Sequence, residues 1–143
     1  MHLIQRLLAE KSLLSPDRQV TLFAERRQFL KRRWRGVAED GTEFGFDLEN
    51  RLTDGGVIFH HEGTDFIVRQ LPEPVYEIPF ISADHAALVA WKVGNLHLPA
   101  QIHPDRIHVL HDEAMAQLLL REGWDHSEPV VLFTPMKAVA HAP

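Results

Sequence analysis

The stretch VYEIPFISADHAALVAWKVGNLHLP, residues 75–99, decides the fold. Residues 75–81 read as a strand, Ser82-Ala83-Asp84 supplies a helix start, and the helix runs to about Leu96, ahead of Pro99. Working outward, residues 100–103 form a short strand and Arg106-Ile107-His108-Val109-Leu110 a second. In that second strand the period of two buries Ile107 and Val109 and turns His108 to solvent. Asp112 is a good N-cap for a helix over 113–122, which Gly123 stops, and Pro129 precedes a last apolar strand over 130–133. The order β-α-β-β-α-β predicts a ferredoxin-like split βαβ sandwich over residues 75–143.

Upstream, Leu71-Pro72-Glu73-Pro74 carries two prolines, which disfavour helix and cannot donate to a ladder, so it reads as an interdomain linker. Residues 1–70 read as an N-terminal antiparallel β domain. Asp40-Gly41 and Glu62-Gly63 each separate two strand-like runs, the strongest short hairpin signal, and Asp54-Gly55-Gly56 marks a third turn. Residues 20–35 fit neither the helical nor the strand period. The expected class is α+β, with a β-rich domain over 1–70 and the ferredoxin-like domain after it.

The chain has 143 residues, 45% hydrophobic and 24% charged, enough for one domain or two small ones and too apolar for disorder. Absence of cysteine excludes disulfide scaffolds, thiolate-held zinc, iron–sulfur clusters and thiol nucleophiles. Any metal must be held by nitrogen and oxygen, and ten histidines favour Ni, Cu(II) and Zn over Mg or Ca. The halves differ. Residues 1–70 carry 11 basic and 11 acidic side chains and three histidines, whereas residues 71–143 carry 4 basic, 9 acidic and seven histidines. Cation-binding groups therefore gather in the second half. The opening residues hold too short an apolar stretch for a signal-peptide core, and no run reaches membrane-spanning length, so a cytoplasmic protein away from membranes is expected.

Along the first long helix, Ala83, Ala86, Ala87, Ala90 and Gly94 recur at spacings of three and four, leaving one face almost bare. Two readings stand. The alanines can pack on their own sheet, with His97 capping the helix C-terminus, where a cation is favoured. Alternatively the same helix of a second subunit packs there, and His97 meets its own copy near a two-fold axis, giving one ion two imidazoles. His111-Asp112-Glu113 could ligate, although Asp112 also suits an N-cap and Glu113 a first-turn carboxylate. His60 and His61 face opposite ways on a strand and cannot chelate one ion. Arg26, Arg27, Lys31, Arg32, Arg33 and Arg35, interleaved with Phe29 and Trp34, form a basic stripe, but the net charge of −5 argues against nucleic acid and for a solvated face or a docking surface for an acidic protein. No nucleophile elbow, phosphate-binding glycine loop or paired-histidine helix motif is present.

At Gly94-Asn95-Leu96-His97-Leu98-Pro99-Ala100-Gln101-Ile102 the chain resembles the UreE family of urease accessory proteins, the nickel metallochaperones, in which a helix ends in Gly-Asn-Arg-His followed shortly by Pro and Gln-Ile. Weaker likenesses occur at Gly41-Thr42-Glu43-Phe44, Arg51-Leu52-Thr53-Asp54-Gly55, His111-Asp112 and Glu128-Pro129. The resemblance implies a homodimer that hands Ni(II) to a urease accessory GTPase and the urease apoprotein complex, with Cu(II) or Zn(II) competing in vitro. It implies that His97 ligates from both subunits, with His111 and the tail residue His141 as accessory ligands. The first 70 residues would then dock the partner. Three departures stand out: Leu96 replaces the family arginine, Glu113 stands where some members have a histidine, and His141-Ala142-Pro143 stands in place of a long histidine-rich tail. The alternatives are a hydrolase using a histidine-held divalent ion, and a nucleic-acid module using the stripe from Arg26 to Arg35.

Overall fold

Turn chemistry builds the first unit from local pieces. In the computed structural model, which describes residues 1–136, strand β1 (His2–Ile4) is followed by a single 3-10 turn (Pro16–Arg18) and then β2 (Gln19–Ala24), a one-turn helix α1 (Arg26–Phe29), β3 (Arg33–Val37), β4 (Glu43–Asp47), β5 (Val57–His61) and β6 (Thr64–Gln70). Asp40-Gly41 joins β3 to β4, with Asp40 Oδ1 accepting from Thr42 N at 3.0 Å. Glu62 and Gly63, at φ +49° and +75°, make the turn between β5 and β6, with the two positive φ angles that match strand twist. Residues 20–35 are aperiodic because they hold three elements: β2, α1 and the start of β3. Glu25 and Gln28 close a capping box on α1.

The expectation of a wholly antiparallel first half is corrected. The two hairpins are antiparallel, but β1 runs parallel to β4 and β2 parallel to β6, giving three-stranded sheets in the orders β1-β4-β3 and β2-β6-β5. Hairpin signals report only neighbours in sequence; β1 and β2 find distant partners, whose direction no turn encodes. One core draws on both sheets, with Leu22, Phe44, Phe46, Ile58, Phe66 and Val68 all buried. Trp34 stacks on Phe46 at 4.0 Å. Gly36 is required where β3 passes Leu22, since a Cβ there would lie 2.9 Å from Trp34 Cζ3 and 3.1 Å from Leu22.

By internal contacts the chain divides into a unit Met1–Leu71 and a second unit from Pro72 onward. The second contains β7 (Glu73–Pro79), α2 (Ala83–Gly94), β8 (Ala100–Ile102), β9 (Arg106–Leu110), α3 (Glu113–Glu122) and β10 (Val130–Val131), all four strands paired antiparallel in the order β10-β7-β9-β8. Ser82 Oγ caps α2 by accepting from His85 N at 3.1 Å, and Asp112 caps α3 by accepting from Ala114 N at 2.8 Å. Gly123, at φ +66°, ends α3 in the left-handed conformation that glycine adopts without strain. Ile78, Ile107 and Val109 of the sheet meet Val89 and Val93 of α2 and Met115, Leu118 and Leu119 of α3 in one core. Lys92 and Glu122 tie the two helices by an ion pair.

Two details depart from expectation. β10 ends at Val131 instead of continuing to residue 133; the chain then crosses from one edge of the sheet to the other, where Thr134 N donates to Gln101 Oε1 at 3.1 Å and Met136 N to Ala100 O at 2.9 Å. Phe133 is completely buried in this crossing. His108 does not face solvent; it is 4% exposed. Its cross-strand neighbours Glu77 and Gln101 flank it in register, and His103 closes over it at 3.2 Å. A period of two assigns the face correctly, but that face is not open at this spot.

Candidate metal centre

Helix α2 turns Val89 and Val93 into the core and leaves Ala83, Ala87 and Gly94 exposed. Ala86 and Ala90 are half-buried, so the small residues divide between the core-facing and the exposed sides of the helix. Nor is the exposed side bare: Trp91, 66% exposed, stands beside Ala87 and Gly94, Leu88, 43% exposed, lies one turn before Trp91 on the adjoining face, and a Cβ at Gly94 would meet nothing within 4 Å. Ala87, Trp91 and Gly94 follow one another at the i, i+4, i+7 spacing of a single helix face.

His97 leaves this helix end by a tight turn. Leu96 N donates to Val93 O at 3.0 Å and His97 N to Gly94 O at 3.2 Å, after which His97 takes φ +57° and the chain swings through Pro99 into β8. Glycine or asparagine usually occupies such a left-handed position after a helix, and a bulkier residue there costs on the order of 1 to 2 kcal/mol. The imidazole is exposed.

His111 sits at the exit of β9. Its register neighbours place it at the same end of the sheet as His97, because Ala100 lies opposite Val109 and Leu110 N donates to Pro99 O at 3.1 Å. His111 stacks on Tyr76 with ring centroids 4.2 Å apart, and its Nε2 donates to Glu128 Oε1 at 2.7 Å. A carboxylate on one ring nitrogen orients the ring and leaves the other nitrogen, Nδ1, for a ligand. Burial, aided by Glu128, Glu113 and Asp112, raises the Tyr76 phenol above its ordinary range and keeps it protonated under the ring. Asp112 and Glu113 have structural work: the first caps α3, and Glu113 accepts from Gln117 Nε2 at 2.9 Å. His141 lies outside the described residues. Among the described residues, no three histidine, aspartate or glutamate side chains converge in a metal-binding group.

Elsewhere, charges are already paired. Arg32 and Arg33 both bond Asp47 Oδ1, at 3.0 and 3.3 Å, and Arg33 foremost holds that carboxyl below its ordinary range. Arg27 pairs with Glu25 at 2.6 Å. Part of the basic stripe is thus neutralised locally. His60 donates from Nδ1 to Asp65 at 2.6 Å, and Ser12 Oγ donates to the same carboxylate at 2.6 Å. The sequence reading missed a polar cluster in the second unit. His108 Nε2 donates to Glu77 Oε1 at 2.7 Å, and Arg106 Nε lies 3.2 Å from the same oxygen. The only sequence signal for it was the placing of Glu77 and His108 on strands that pair.

The second unit is thus an α+β module whose exposed apolar helix side ends in a histidine held at φ +57°. Residues 73–142 match the family model described as UreE urease accessory protein, C-terminal domain. The chain is 38% identical over 107 residues to the urease accessory protein UreE of Chelativorans sp. (strain BNC1), covering 73% of this chain and 68% of that one. It is 31% identical over 115 residues to the protein of the same name from Bacillus cereus, covering 78% and 76%. Against UreE 1 of Brucella suis it is 34% identical over 86 residues, spanning 60% of this chain and about half, 53%, of that one. The chain belongs to the UreE family of urease accessory proteins, which are assembly factors and not enzymes.

Proposed function

We propose that the chain is a nickel-binding metallochaperone that delivers Ni(II) during assembly of the urease metallocentre. It acts as a cytoplasmic homodimer, and we read the second unit, from its strand order β10-β7-β9-β8 with two crossover helices, as a ferredoxin-like metal-binding and dimerisation domain. The single observation that carries this reading is His97: an exposed imidazole held at φ +57° at the end of a helix face that exposes Leu88 and Trp91. A second copy packed on that face brings its own His97 beside the first, so that two chains share one ion.

Imidazole suits Ni(II), and with no thiolate in the chain the competing ions are Cu(II) and Zn(II). Two imidazoles fill only part of a coordination shell, so the ion stays open to ligand exchange. His111, oriented by Glu128, and His141 are the accessory ligands. Support for His141 comes from chain path: Met136 bonds Ala100, three residues beyond His97, and five further residues reach His141. The first unit docks the urease accessory GTPase, which acts with the urease apoprotein complex, through its exposed arginines. No helix of the described residues is long and apolar enough to cross a membrane.

Calorimetric nickel titration of the His97→Ala chain tests the proposal. The tightest site, one ion per two chains, is lost while sedimentation still reports a dimer. Undiminished affinity and stoichiometry in that variant would refute the two-fold site.

A further inference from the structure

We propose that His103 and His108 form a second, mononuclear divalent-metal site in each chain, separate from the shared one and independent of it. The site is built from the inside out. His108 is 4% exposed, and its Nε2 donates to Glu77 Oε1 at 2.7 Å. An ionised carboxylate only accepts, so this bond places the His108 proton on Nε2 and turns the Nδ1 lone pair outward. That arrangement, a carboxylate behind the ligand histidine, is the usual outer support of imidazole-bound metals. Glu77 is held in turn by Arg106 Nε at 3.2 Å and faces Ser127 Oγ at 3.5 Å, so the carboxylate, and through it the ring, has little freedom.

The outward Nδ1 faces His103 Nε2 at 3.2 Å, with the rings steeply inclined at 68° and centroids 4.7 Å apart. Two nitrogens at that separation can both lie about 2.05 Å from one ion and subtend about 100° at it, between the octahedral and tetrahedral angles. Without metal, His103 bridges the gap by donating Nε2–H to His108. With metal, His103 carries its proton on Nδ1 instead, so binding moves one proton between ring nitrogens and releases none. Burial, then the neighbouring His108, holds the His103 imidazole below its ordinary range. Water completes the shell, since His103 is only partly buried. The pair suits Zn(II), Cu(II) or Ni(II).

The test uses the full chain carrying His97→Ala, His111→Ala and His141→Ala, titrated with zinc and read by nitrogen-15 NMR of the imidazoles. The expected result is saturable movement of His103 Nε2 and His108 Nδ1 at one zinc per chain. His103→Gln, at a partly exposed position that leaves the core untouched, abolishes it, and Glu77→Gln weakens it roughly tenfold or more. Unmoved His103 and His108 resonances, or zinc binding unchanged by His103→Gln, would show a hydrogen-bonded pair only and overturn the proposal.

Discussion

At the residue scale, His97 stands where backbone geometry asks for glycine, and its side chain must supply the reason for its presence. His97→Gly therefore separates the two demands: thermal unfolding shows stability unchanged or raised by about 1 kcal/mol or less, while nickel binding at the shared site disappears. The motif that carries His97 was legible in the sequence, but its left-handed backbone was not, since only the closing of the turn reveals it. Asp65 was invisible at the sequence level, because its partners Ser12 and His60 come from different strands and loops of the folded unit. The Ser12 hydroxyl first, and His60 second, hold its carboxyl below the ordinary value near 3.8. A carboxyl so lowered adds stability above the unfolded-state value and loses it as pH falls through the folded-state value. Asp65→Asn should cost about 1 to 2 kcal/mol at neutral pH, and denaturant melts of the two chains should draw together only as pH falls from the ordinary value of 3.8 through the lowered folded-state value.

At the scale of elements, α2 carries the exposed apolar side chains and ends just before His97. Its capping by Ser82, and the capping of α3 between Asp112 and Gly123, were legible because caps and stops are local chemistry. The hairpins of the first unit were legible for the same reason. Parallel pairing of β1 with β4 and β2 with β6 was not, nor was the return of residues 132–136 across the sheet, because both depend on contacts distant in sequence. The burial of His108 follows from the same kind of contact. Exposed Leu88 and Trp91 give α2 its test. Burying such side chains contributes roughly 1.5 to 3 kcal/mol each. Leu88→Glu with Trp91→Glu should thus weaken dimerisation by on the order of a hundredfold or more in sedimentation equilibrium, with the far-ultraviolet dichroism unchanged. A chain still dimeric at the same concentration would place the subunit contact elsewhere.

At the scale of the molecule, charge and histidine divide along the chain: residues 1–70 carry 11 basic groups, and residues 71–143 hold seven of the ten histidines. The stripe is less available than its composition suggests, because Asp47 already binds Arg32 and Arg33. Arg32→Gln with Arg33→Gln removes the charges without setting new carboxylates against Asp47. Partner capture by the accessory GTPase should fall while the nickel isotherm stays the same; unchanged capture would leave the stripe a solvated face. The proposed shared site puts one nickel ion between two copies of His97. Anomalous diffraction at the nickel edge from nickel-loaded crystals tests it most directly. A peak is expected on a two-fold axis, within about 2.1 Å of an imidazole nitrogen of each His97; a peak held within a single chain, away from His97, would refute the shared site.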